Sequence, residues 1–246
     1  MSGLFSHWFS GVHDATLDAA TAVRPWAEAQ GWRFAASRGA AGFVVEPAKD
    51  AAWRAEWGPS QREYIGGNEL RVRADIGAAR DLQMLVTTRA LAQRLEQEVF
   101  EQFTDGNQTR MDDATPEEMR WLVLYAKAPK PALGKLRDRF VVLANRPAAV
   151  PLWLEGTLAR QLEASSEWLD AATPMALVVQ RGRFVLRLAL AVPSVDVIQS
   201  AIGLASVAAS AARRVGAEVA RGTIGSRRPS SWGVPSAMPT ADIAAG

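Results

Sequence analysis

The chain contains no cysteine, which excludes disulfides, thiol nucleophiles, thiolate zinc sites and cysteine-ligated iron–sulfur clusters together. Histidine is almost as scarce: His7 and His13 are the only two, and their setting near the start suits neither a pair of metal ligands nor a hydrolase base. No uninterrupted apolar run of about 20 residues exists to cross a bilayer. Gly-x-Ser-x-Gly, the P-loop, Gly-x-Gly-x-x-Gly and a lysine three residues after serine are all missing. The sequence therefore designates no catalytic residue, no ligand-binding residue, no metal site and no cofactor.

What is there suffices for a sizeable core: 246 residues, 48% of them hydrophobic and 22% charged. The net charge is only +2, although the pI is 9.3. The two agree, because the basic residues are mostly arginine and few groups titrate between neutrality and the pI. Residues 213–246 hold Arg213, Arg214, Arg221, Arg227 and Arg228 against Glu218 and Asp242, a local +3 that leaves the rest at −1. Such a balance lacks the concentrated basic stripe of a nucleic-acid-binding protein, and no nucleic-acid partner is expected.

The N-terminal apolar residues have no positively charged leader before them, and position 2 is serine, so neither a secretory signal nor myristoylation is expected. With no cysteine to oxidise, the expected location is the cytoplasm. Asn107-Gln108-Thr109 matches a glycosylation sequon and reads as coincidence in that compartment. Leu4, Phe5, Trp8, Phe9 and Val12 form a small stripe at helical spacing, expected to dock on the folded body because no basic residue precedes Arg24.

Periodicity predicts an α+β fold of mainly antiparallel sheets covered by helices. Leu70, Val72, Ala74 and Ile76 alternate with Glu69, Arg71, Arg73 and Asp75, the signature of a half-buried strand. Gly66-Gly67-Asn68 reads as a hairpin turn whose preceding strand includes Tyr64 and Ile65. Further strands are expected through Trp32 and Phe34, Phe43 and Val45, Trp53 to Trp57, and Leu82 to Val86. Leu91, Leu95, Val99 and Phe103 mark an amphipathic helix.

An acidic connector, 105–118, then separates a first unit (1–104) from a second (119–221). Thr115-Pro116-Glu117-Glu118 resembles a helix start, but Arg120 to Tyr125 has strand composition and precedes Pro129 and Pro131, so a strand is favoured there. Phe140 to Ala144 is another strand, and Leu152 to Leu169 a helix. Strands at Met175–Gln180 and Phe184–Leu190 should meet at an Arg181-Gly182 turn. A long alanine-rich helix follows, then a disordered tail, 222–246, punctuated by glycine and proline. Residues 71–96 and 138–163 align without a gap, with Leu91–Glu96 matching Leu158–Glu163, which raises the possibility of two related halves.

Three features bear on function. Asp105, Asp112, Asp113, Glu117 and Glu118 form the most acidic stretch, but they fail the spacing of a calcium loop and read as a solvated linker rather than a metal or acid–base site. Trp53 and Trp57 share a face with Ala55, a pattern that core packing explains without a ligand. Val197 to Ala212 is an uncharged 16-residue run, shorter than a bilayer needs; packing on its own sheet is expected first and self-association through its small-residue face second. The reading that results is a cytoplasmic, non-enzymatic binding or assembly module with a protein partner or a second copy of itself. The alternatives are an enzyme built on scattered carboxylates and arginines, or a peripheral membrane protein attached through the C-terminal helix.

Overall fold

The computed structural model describes residues 21–37, 42–49, 52–77, 79–104 and 116–224. His7, His13, the N-terminal stripe, Asn107, Asp105, Asp112, Asp113 and the tail from residue 225 lie outside the described residues, as does the side chain of Phe103.

Alternation of apolar and charged residues builds one eight-stranded antiparallel sheet. Its strands are β1 (Trp32–Ala36), β2 (Phe43–Pro47), β3 (Arg54–Pro59), β4 (Asn68–Asp75), β5 (Met84–Thr88), β6 (Phe140–Ala144), β7 (Met175–Gln180) and β8 (Arg183–Ala189). In space they run β1-β2-β3-β4-β8-β7-β5-β6. The helices are α1 (21–29), α2 (Arg89–Thr104), α3 (Glu117–Leu124), α4 (Lys130–Leu133), α5 (Ala149–Leu154), α6 (Thr157–Ala164) and α7 (Val195–Ala220). The α+β class expected from periodicity is the class observed. The acidic connector does not divide the sheet: β4 pairs with β8, and β5 with both β6 and β7.

Two faces carry different chemistry. The first buries Phe43, Val45, Ala55, Trp57, Leu70, Val72, Met84, Val86, Phe140, Leu177 and Leu186 beneath α1, α5, α6 and α7. Trp57 is 1% exposed, and its indole N–H donates to the Leu190 carbonyl at 2.8 Å, so this tryptophan is a core residue with its polar atom satisfied. The second face buries Leu85, Val141, Leu143, Ala176 and Val178 beneath α2 and α3. The segments aligned as related halves end in α2 and α6, which cover opposite faces of the same sheet.

The alanine-rich helix α7 runs 26 residues, about 39 Å at the α-helical rise, and continues through Arg213 and Arg214 beyond the uncharged run. By length and composition it could cross a membrane, and half of its most apolar window is buried in the molecule. Ile198, Ile202, Ala205, Ala209 and Ala212, the stripe weighed for self-association, are all buried in this core. The small side chains let α7 lie close to its neighbours, and Trp153 on α5 donates to the Ala208 carbonyl at 3.1 Å.

Three local expectations are corrected. Residues 117–124 form helix α3, not a strand. Met119, Trp121 and Leu122 are buried while Val123 and Leu124 are exposed, a helical distribution that lets the segment pack with the apolar stripe of α2, and Glu117 and Glu118 suit a helix N-terminus. Tyr64 and Ile65 form no strand: the hairpin partner of β4 is β3, with Pro59 opposite Asn68. The intervening loop tucks Tyr64 and Ile65 beside α2. The single helix expected from Leu152 to Leu169 is broken between α5 and α6 at Gly156, whose φ of 67° falls in the left-handed region that glycine tolerates.

Candidate functional site

The helices α2 and α3 cover the β5, β6 and β7 side of the second face, and Glu118 of α3 reaches Arg187 on β8. Across β1, β2, β3, β4 and β8 that face carries a row of arginines and carboxylates. Register places Arg33 opposite Glu46, Arg54 opposite Arg73, Glu56 opposite Arg71, and Arg71 opposite Arg187. Like charges directly across a ladder repel, so these pairings persist only through the carboxylates set among them.

Glu69 is the deepest of those carboxylates. It is fully buried and accepts from Arg71 Nη1 at 2.8 Å, from Arg187 Nη1 at 2.9 and 3.1 Å, and from the Gln61 backbone N–H at 3.0 Å. Glu118, at the start of α3 and 3% exposed, forms a second centre. Its Oε1 accepts from Arg62 Nε at 2.9 Å and from the Tyr64 hydroxyl at 2.8 Å, with Arg187 Nε 4.0 Å away. Arg187 thus joins the two carboxylates, and α3 is tied to the sheet through an ionic cluster.

The electrostatics of the cluster are set by burial and charge together. Burial alone would push the Glu118 carboxyl up; the Arg62 charge, a hydrogen bond from the residue's own backbone N–H, and hydrogen bonds from Arg62 and Tyr64 outweigh it and hold the group below its ordinary value. The Tyr64 hydroxyl is pushed well above its usual range, first by burial and next by the Glu118 charge, against opposition from Arg187 and Arg62. The pair is therefore an ionised acceptor and a neutral donor near neutral pH.

Toward solvent the arginines outnumber their partners. Glu56 alone serves three guanidiniums, at 2.7 Å from Arg54 Nε, 3.2 Å from Arg71 Nη2 and 3.0 Å from Arg73 Nη2. Glu46 takes Arg33 at 2.8 Å and Arg54 at 3.6 Å. These two carboxylates are recessed, with side chains 14% and 20% exposed, whereas those of Arg33, Arg54 and Arg73 are 62%, 49% and 42% exposed. Buried Arg71 Nε has no hydrogen-bond partner among the described residues. The Arg73 guanidinium is lowered from its ordinary value, by burial first; Glu56 opposes that, and repulsion from Arg71, Arg187 and Arg54 adds to it. Acids lie at the bottom of this surface and cations at the top.

Of the residues that the sequence singled out, Glu117 and Glu118 are described, and neither belongs to a solvated linker. Glu117 accepts from Gln180 and, at 2.7 Å, from Arg181. Trp53 and Trp57 pack on the opposite face. The sequence places Glu69 and Arg71 only on the polar side of a half-buried strand and does not single out Arg187. Their period-two spacing marks them as one face, but nothing local marks that face as crowded enough to bury three charges. Chemically the cluster presents guanidiniums, groups that pair with carboxylates and other anions. Among the described residues there is no histidine, and no group of acidic side chains is arranged to hold a metal ion.

No protein family, curated protein or solved structure matches this chain.

Proposed function

We propose that the protein is a non-enzymatic binding or assembly module whose arginine-bearing sheet face receives an acidic segment of a protein partner. The observation that carries this reading is the oversubscription of Glu56 by Arg54, Arg71 and Arg73, which leaves outward guanidiniums short of negative charge on a surface that no described helix covers. Such a surface is complementary to carboxylates. Glu46 and Glu56 hold the guanidiniums of Arg33, Arg54 and Arg73 in place, which reduces the side-chain ordering that binding would otherwise require. Recessed Glu46 and Glu56, and the lack of an aromatic side chain beside Arg33, Arg54 and Arg73 on this face among the described residues, favour a peptide over a nucleic acid, whose bases would need stacking partners. The reading keeps the module in a reducing cytoplasm, which the cysteine-free composition suits.

The test is a fluorescence-anisotropy titration of the full chain with a labelled glutamate-rich peptide, an oligolysine peptide and a single-stranded oligonucleotide. The expected result is saturable binding of the acidic peptide, weakened by salt and lost in R54E/R73E. Preference for the oligonucleotide, or unchanged peptide binding in R54E/R73E, would refute the proposal.

A further inference from the structure

Where the β7–β8 hairpin ends, the same sheet face opens into a pocket of about 500 Å3 lined by Arg80, Val178, Gln180, Arg181, Arg183 and Val185. We infer that this pocket is a binding site for a phosphomonoester dianion. The inference is independent of the acidic-peptide reading, since it concerns a small ligand and other arginines.

Three guanidiniums reach the pocket from separate backbone positions, and no carboxylate is among its described lining residues, although Glu117 bonds Gln180 and Arg181 at its edge. Arg80 and Arg183 make no ion pair among the described residues. Asp75 faces Arg183 across the β4–β8 ladder, but its carboxylate accepts from the Gly77 backbone N–H at 3.1 Å instead. Arg181 spends Nη2 on Glu117, which fixes its direction beside the cavity. A carboxylate is satisfied by one arginine fork, whereas the terminal oxygens of a phosphate dianion can accept from several guanidiniums at once.

The hairpin turn supplies a second observation. Arg181 and Gly182 occupy a two-residue turn with φ values of 51° and 76°, a geometry that favours asparagine or glycine at both positions. Arg181 is the only non-glycine residue with positive φ among the described residues. An arginine held against that steric preference, with its side chain at a pocket, is the kind of local cost that functional sites retain. Val178 and Val185 stand opposite each other in register and give the pocket an apolar floor, suited to the organic part of a phosphomonoester.

Isothermal titration calorimetry of the full chain with phenyl phosphate and with inorganic phosphate tests the site. Saturable binding of phenyl phosphate is expected, weakened about tenfold or more in R80A/R183A, as loss of charge-assisted hydrogen bonds implies. Phenyl phosphate binding tighter than phosphate assigns the site to an organic ester; equal affinities assign it to the free anion. R137A/R160A, away from the pocket, removes the same two charges and controls for net charge, and circular dichroism controls for folding. No saturable binding of either probe, or an equal loss in R137A/R160A, would overturn the proposal. R54E/R73E is assayed in parallel, so failure of the pocket and failure of the peptide surface are read from different variants and different probes.

Discussion

Arg71 and Arg187 stand directly opposite each other on β4 and β8, and one oxygen of Glu69 accepts a hydrogen bond from both, at 2.8 and 2.9 Å. Two buried cations in cross-strand register are destabilising unless a buried anion lies between them. Glu69→Gln removes the anion between them and leaves only Glu56 on Arg71 and the more distant Glu118 by Arg187, and the expected cost is about 3 kcal/mol in chemical denaturation. The triple replacement E69L/R71M/R187L, which removes every charge of the set, is expected to recover most of the loss. A Glu69→Gln protein as stable as the parent would show that the three groups do not act as a unit.

Glu118 makes stability depend on pH at the acid end. Its folded-state value is depressed, so its contribution is complete above the ordinary unfolded carboxylate value of about 4.3 and drains away as pH falls from there through the folded value. Glu118→Gln is expected to lower stability at neutral pH and to flatten the dependence in that acid window. Denaturation midpoints measured across the window in both proteins check the slope; parallel curves would place the acid sensitivity elsewhere.

The two tyrosines permit a direct test at the alkaline end. Tyr64 is held well above the usual phenol range and Tyr125 is also raised, by burial first and Glu117 second. The native protein should therefore show little tyrosinate absorbance at the ordinary phenol midpoint of about 10, whereas the denatured chain titrates normally there. The unfolded state releases its protons first, so stability falls as pH rises through that range. Tyr64→Phe should lessen the fall.

The alternation in the sequence made much of this legible and stopped short of the cluster. Residues 69–76 declared which side chains share a face, and the Arg181-Gly182 turn and the strands flanking it lie where the pattern put them. What periodicity leaves open is what covers each face. Arg71 is 2 residues from Glu69 and Arg187 is 118 residues away; only the β4–β8 pairing, which joins strands from either side of the connector, brings the three together. The strand composition of Arg120 to Tyr125 was overridden because the apolar stripe of α2 offers a helix a place to pack, which brings Glu118 against Arg62 and Tyr64. Local propensity carries no trace of that tertiary contact.

Gly42 tests the packing of the exposed side of the sheet. A methyl group there would sit 2.7 Å from the Trp57 carbonyl oxygen and 3.1 Å from Ser37 Oγ, and the first of these is backbone that yields only if β2 and β3 separate. Gly42→Ala is expected to cost about 1 to 3 kcal/mol, as overpacking does elsewhere, read from the thermal midpoint. An unchanged midpoint would contradict the close approach of these strands.

The most direct test of the central claim is nuclear magnetic resonance mapping of the labelled full chain during titration with a glutamate-rich peptide. The account predicts shifts concentrated at Arg33, Arg54, Arg73 and their neighbours on β1 to β4 and β8, with α5, α6 and α7 unmoved. Shifts confined to the helical side of the sheet, or none at saturating peptide, would contradict it.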